Sequence, residues 1–204
     1  TGDRGAGAPG RRTPSITCVA GRGPHAEPLR ARDGRQERLR TAYLRALEDD
    51  TAVFKAGPPV HLTTSCVVFD DSGENVLLTL HAKAGFWLQL GGHIEPADTS
   101  LLESVHREVR EESGIDTVQI APMPAELHRH ALGARFGRCT EHLDLRYVGW
   151  APPGSEAACS AESLDLRWWP ADRLPPATVA DLPPLIARGR SALRTLRHAP
   201  PDRA

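Results

Sequence analysis

The chain has 204 residues, of which 40% are hydrophobic and 25% charged, and its formal net charge is −1. That length suits one domain with extensions or two small domains, with apolar content enough for a core. The near-zero charge gives no global field for nucleic acid or an anionic surface. With no transmembrane-length apolar run and no signal-peptide pattern, it points to a cytoplasmic protein.

Residues 1–26 are rich in Gly, Pro and Arg and poor in apolar side chains, so burial cannot repay their ordering entropy; a disordered or loosely packed arm is expected. Residues 27–58 are read as a helical extension. Its helix is expected over 34–50, with Leu39, Tyr43, Leu44 and Leu47 as the apolar face. The basic surplus of this region could serve a nucleic-acid arm, but a solvated helix packed on the main domain is the preferred reading. Pro58-Pro59 then opens the main domain, 59–204. His61 to Phe69 and Val76 to Leu80 read as strands around the turn Asp70-Asp71-Ser72-Gly73-Glu74-Asn75, and Trp87 to Leu90 as a strand leading to Gly91.

The next stretch carries the chemistry. Ser100 and Glu103 form a capping box, Leu102, Val105 and Val109 recur at helical spacing, and Gly114 followed by Ile115 is a helix stop. Glu108, Glu111 and Glu112 stand at i, i+3 and i+4 on one helix face. Three acids near a helix C-terminus repel one another and oppose the macrodipole. A divalent cation reverses that sign, and carboxylate oxygens suit Mg²⁺ or Mn²⁺. The plainer alternative is a solvated charged face partnered by Arg107 and Arg110.

The stretch from Gly92 to Ile115 resembles the Nudix box. Arg107-Glu108-Val109-Arg110-Glu111-Glu112-Ser113-Gly114-Ile115 matches the second half of that pattern at every defined position. The first half departs: Asp98 stands where the family has Glu, and the joint to Arg107 is one residue longer. The resemblance implies an α/β/α sandwich with a mixed sheet, with N-terminal and C-terminal helices added here. It also implies a Mg²⁺- or Mn²⁺-dependent hydrolase that splits a diphosphate linkage in a nucleoside diphosphate derivative or nucleoside triphosphate. Gly91 (through its carbonyl), Glu108, Glu111 and Glu112 would hold metal, with Glu111, Glu112 and Arg107 in the catalytic set and Arg107 orienting the glutamates. A small-molecule nucleotide or diphosphate substrate is implied, and a homodimer is compatible with it. Two other readings share the fold: an isoprenoid diphosphate isomerase, which needs an Asn-Ser-Cys-Cys-like segment where Leu90-Gly91-Gly92 stands, and a silent binder or regulator, a class that usually loses box glutamates.

Beyond the box, Thr117 to Ile120 reads as a strand and 121–140 as a loop or ragged hairpin. Leu143 to Val148 alternates, with Leu143, Leu145 and Tyr147 facing one way and Asp144 and Arg146 the other. Arg146 is read first as a structural partner of Asp144, and alternatively as a substrate-phosphate ligand. Many Nudix hydrolases carry an acid a few residues before a later strand; Glu162 matches that position as a candidate base, with Asp165 its competitor and a surface acid the alternative. Trp87, Phe86 or Tyr147 could stack on a base, although packing is the commoner use of such rings; Trp87 is the substrate-binding candidate. The family's markers for ADP-ribose, dinucleoside polyphosphates and NADH do not occur in their usual form. The four cysteines, at 18, 66, 139 and 159, form no Cys-x-x-Cys and read as reduced thiols. His128, His130, Cys139 and His142 cluster in sequence, but their spacing fits no closed zinc site well, so a hairpin with locally hydrogen-bonded histidines is expected. A terminal helix is expected over 184–198, with Leu185, Ile186, Leu193 and Leu196 inward.

Overall fold

The computed structural model describes residues 34–161 and 163–197, the last three by backbone alone. Eight strands form one mixed sheet: β1 Val60–Phe69, β2 Asn75–His81, β3 Trp87–Leu88, β4 Leu90–His93, β5 Gln119–Ile120, β6 Glu126–Ala131, β7 Glu141–Trp150 and β8 Ser163–Pro170. The central pair, β1 and β7, runs parallel from Val60↔Glu141 to Phe69↔Trp150. All other pairings are antiparallel: β2 and β4 on β1, β5 and β6 on β7, and β3 and β8 on β2. Among the described residues three α-helices complete the fold: α1 Gly34–Ala46, α2 Leu101–Ser113 and α3 Leu182–Arg197.

Strand alternation divides the core in two. Leu62, Cys66, Leu143, Leu145 and Tyr147 pack with Leu101, Val105 and Val109 of α2 and with Tyr43 of α1. Val67, Phe69 and Val148 pack with Leu182, Leu185, Ile186 and Leu193 of α3. The sheet is thus covered on both faces, as the sandwich requires. Pro183 and Pro184 fall in the first turn of α3, where a missing N–H costs nothing.

Four details differ from the sequence reading. The first helix stops at Ala46, and Asp49 instead caps a 3-10 turn over Asp50–Val53 by accepting from the Thr51 N–H. Leu44 is 38% exposed, whereas Tyr43 is fully buried and its hydroxyl donates to the carbonyls of His128 (2.7 Å) and Asp144 (2.8 Å). The 121–140 segment contains β6, a full neighbour of β7. Its polar Glu126, His128 and His130 all pair inward across the sheet, so no apolar alternation betrays it. Asp144 and Arg146 do point away from Leu143 and Leu145, yet that second face is also buried. The arm over 1–26 and the side chain of Leu196 lie outside the described residues. No helix among the described residues is long and apolar enough to cross a membrane.

Candidate active site

The site starts from how α2 is held at its ends. Ser100, in extended conformation, accepts from the Glu103 N–H at 3.0 Å. The Glu103 carboxylate reaches one residue further back than a capping box would, to the Thr99 N–H at 2.6 Å and the Thr99 hydroxyl. At the other end Gly114 takes φ 70° and donates to the Arg110 carbonyl at 2.8 Å, the left-handed stop that only glycine adopts without cost. The buried stripe runs Leu101, Val105, Val109 and then Glu112; Leu102 is only half-buried.

The three glutamates therefore grade from core to solvent. Glu112 is buried, and its Oε2 accepts from the Gly91 N–H at 2.7 Å. The Glu108 side chain is 13% exposed and that of Glu111 is 54% exposed. Gly92 leaves room for the Glu108 carboxylate where it stands, because a Cβ there would lie 2.6 Å from Glu108 Oε2 and push that side chain aside.

Arg107 ties this set together. Its Nε and one terminal nitrogen donate to the two Asp98 oxygens, at 2.9 and 2.8 Å. The same terminal nitrogen donates to the His93 carbonyl at 2.8 Å, and the other one donates to Glu108 Oε1 at 2.9 Å and Glu111 Oε2 at 3.1 Å. The extra residue in the loop is accommodated, since Asp98 also accepts from the Glu95 N–H at 2.8 Å and so sits in a tight turn aimed at Arg107. Burial alone would raise the Asp98 carboxyl, but the Arg107 hydrogen bonds outweigh it and hold Asp98 below the usual carboxylate range. The same contact with Asp98 raises Arg107, so the guanidinium stays charged. Removing Asp98 costs about 1–3 kcal/mol, because two Arg107 nitrogens lose an acceptor while Glu108, Glu111 and the His93 carbonyl stay engaged.

The remaining candidates lie apart. Trp87 is 8% exposed and meets Trp169 edge-on at 5.4 Å; its ring belongs to the α3-side core and presents no open face to a base. Tyr147 is fully buried, and Phe86, at 47%, is the exposed ring of the three. Arg146 is buried with Asp144 (Nε to Oδ2, 3.2 Å) and bonds Asp181 through a terminal nitrogen, an engagement that matches the structural pairing and is not turned to solvent. Asp181 carries no spacing signal in the sequence; it reaches Arg146 only because α3 begins over β7. Glu162 lies outside the described residues. Its competitor Asp165 is paired with Arg167 at 2.8 Å. The loop ahead of β8 docks on the end of α2, where the Ala158 N–H donates to the Ser113 carbonyl at 2.8 Å.

A second polar cluster occupies the α3 side of the sheet. Among the described residues, the ligand atoms lying within 4.8 Å of one another are those of His61, His93, Cys139 and His142, and not those of the glutamate trio. His128 is not a local hairpin partner, since its Nε2 lies 3.5 Å from Asp181. Burial lowers His142 to about 3 and His93 to about 4, so both rings are neutral at physiological pH. Each buried imidazole nitrogen left without a partner costs about 1–3 kcal/mol.

The sequence profile of the NUDIX domain matches residues 59–189. No curated protein matches the sequence. Solved structures resemble the fold. A NUDIX-family hydrolase from Clostridium perfringens is 24% identical, with a TM-score of 0.53 over 67% of this chain and 97% of its own. The dihydroneopterin triphosphate pyrophosphohydrolase of E. coli is 17% identical, with a TM-score of 0.55 over 66% and 96%. The Ap4A hydrolase of C. elegans is 15% identical, with a TM-score of 0.54 over 66% and 98%.

Proposed function

From the premise that this chain belongs to the NUDIX family, as a pyrophosphohydrolase, we propose that it is a Mg²⁺- or Mn²⁺-dependent enzyme cleaving the diphosphate linkage of a nucleoside diphosphate derivative or nucleoside triphosphate. The observation that carries this reading is the single arginine, Arg107, binding Asp98, Glu108, Glu111 and the His93 carbonyl at once, while Glu112 is fixed on the Gly91 N–H. Like charges so gathered on one helix are unfavourable unless something cationic completes them. Hard carboxylate oxygens beside a cradle that a Cβ at Gly92 would fill are a donor set suited to Mg²⁺.

Glu108, Glu111, Glu112 and the Gly91 carbonyl would hold the ion or ions. When bound, a divalent cation neutralises the diphosphate and lowers the pKa of a coordinated water. The residues of the chain do the rest. Arg107 holds Glu108 and Glu111 in fixed rotamers, and Asp98 holds Arg107. The hydrogen bond from Gly91 fixes which Glu112 oxygen turns to the strand. Glu162 would take the proton from the attacking water, with Asp165 less suited because Arg167 engages it. The cytoplasm and a small-molecule substrate complete the proposal.

The test is a panel of nucleotide sugars, nucleoside triphosphates, dinucleoside polyphosphates and ADP-ribose, with Mg²⁺, read as the nucleotide products separated by ion-exchange chromatography. Turnover of at least one, abolished by chelation, is expected; no turnover on any would refute the reading.

A further inference from the structure

Three segments far apart in sequence meet at the start of β1. His61 of β1 and His142 of β7 are direct cross-strand partners, and His93 of β4 pairs with Thr63, two residues along the same face. Cys139 lies in the turn before β7 and is buried. The three rings form a near-equilateral triangle, with centroids 5.2, 5.1 and 5.1 Å apart. One ligand atom from each ring and the Cys139 sulfur all lie within 4.8 Å of one another.

Nothing else in the described structure satisfies these atoms. Nε2 of His61, of His93 and of His142 is in each case buried without a hydrogen-bond partner. Such groups are rare in a folded protein, and three of them on rings packed into one triangle beside a thiol call for a common partner. The tautomer is set for it at one corner. His61 Nδ1 lies 3.0 Å from the Pro58 carbonyl, which can only accept, so Nδ1 carries the proton and Nε2 presents its lone pair inward. The Thr140 N–H donates to the Pro59 carbonyl at 2.9 Å and the Cys139 N–H to the Phe136 carbonyl at 3.3 Å, which anchors the sulfur-bearing turn against the same Pro-Pro segment.

We propose that His61, His93, Cys139 and His142 form a structural zinc site on the opposite side of the sheet from the carboxylate cluster. Three imidazole nitrogens and one thiolate are the Cys-His donor class of closed, four-coordinate zinc. Ligands at about 2.0–2.3 Å from a tetrahedral ion stand roughly 3.3–3.7 Å apart, so small rotations of the side chains close the site. Nitrogen and sulfur donors are poor ligands for Mg²⁺, which separates this ion from the one the glutamates would take. On binding, the Cys139 thiol gives its proton to solvent and the sulfur bonds the metal as thiolate. The site would clamp β4 to β1 and β7 at His93, whose carbonyl Arg107 grips from the other side. The inference is independent of the hydrolase reading.

The test uses the full chain, purified without an affinity tag of histidines. Elemental analysis is expected to find one zinc per chain. Replacing it with Co²⁺ should give tetrahedral d–d bands and a thiolate-to-cobalt charge-transfer band. Cys139→Ser should abolish the charge-transfer band, and His142→Ala should weaken zinc binding more than about 100-fold, beyond what loss of an outer-sphere contact costs. Glu112→Gln should keep the zinc. Should either variant fail to fold, the wild-type cobalt spectrum decides alone. Absence of zinc together with absence of the charge-transfer band, or full zinc retention in both folded variants, would overturn the proposal.

Discussion

Two clusters share the short strand β4 and sit on opposite faces of the sheet. On the α2 side, Gly92 lies against Glu108, and the acids are gathered by Arg107 with Glu111 open to solvent. On the α3 side, one residue further along, the His93 ring joins His61 and His142 in a cluster whose Nε2 atoms are buried without a hydrogen-bond partner. The first is electrostatically incomplete and accessible, which suits an exchangeable ion and a reacting substrate. The second is incomplete in hydrogen bonding and enclosed, which suits a permanent one. The strand's period of two is what lets adjacent residues serve such different surroundings.

The comparison can be broken at its strongest point first. Glu112→Gln keeps an oxygen for the Gly91 N–H while removing the charge, so the fold should persist while diphosphate hydrolysis falls by about 100-fold or more, measured as kcat/KM. Gly92→Ala forces Glu108 aside and should reduce turnover by about 10- to 100-fold, read in the same assay, with the histidine side unchanged by NMR.

Asp98→Asn tests the support of the acidic side. It removes the buried carboxylate that two Arg107 nitrogens share, while Glu108 and Glu111 still pair with the guanidinium, and should lower stability by about 1–3 kcal/mol in denaturant unfolding. The sign with pH follows from the folded-state carboxyl being depressed. The Asp98 contribution is complete above its unfolded value of about 3.9 and is lost as pH falls through the lower folded value. Wild type should therefore lose stability at acid pH more steeply than Asp98→Asn. The smallest effect is expected at the exposed Arg129–Glu141 pair beside the histidines. Although its oxygen lies 2.6 Å away, solvent screens the pair, and Arg129→Ala should cost at most about 1 kcal/mol in the same unfolding measurement.

The two sides also differ in how far they could be read from the residues alone. The acidic side is one contiguous helix with its caps, so periodicity placed Glu108, Glu111 and Glu112 on a shared face and Gly114 at the stop. What periodicity could not supply was depth: Glu112 is buried and Glu111 exposed because Leu101 and not Leu102 leads the buried stripe. The histidine side has no linear period. His61 and His142 meet through a parallel pairing across 81 residues, and β6 was hidden because its inward residues are polar. Spacing around Cys139 therefore pointed to His128 and His130, while the sheet register brought His61 and His93 instead. The burial of Trp87 was hidden for a related reason, since its parallel bridge to Thr178 and its packing with Leu182 and Leu185 join residues far apart in sequence.

The central claim is that the glutamates of α2 are assembled to hold divalent ions. Its most direct test is a Mn²⁺ titration followed by electron paramagnetic resonance, comparing wild type with the double variant Glu111→Gln/Glu112→Gln. Saturable Mn²⁺ binding in wild type and its loss in the double variant is the predicted result. Equal binding in the two proteins, or none in wild type, would contradict it.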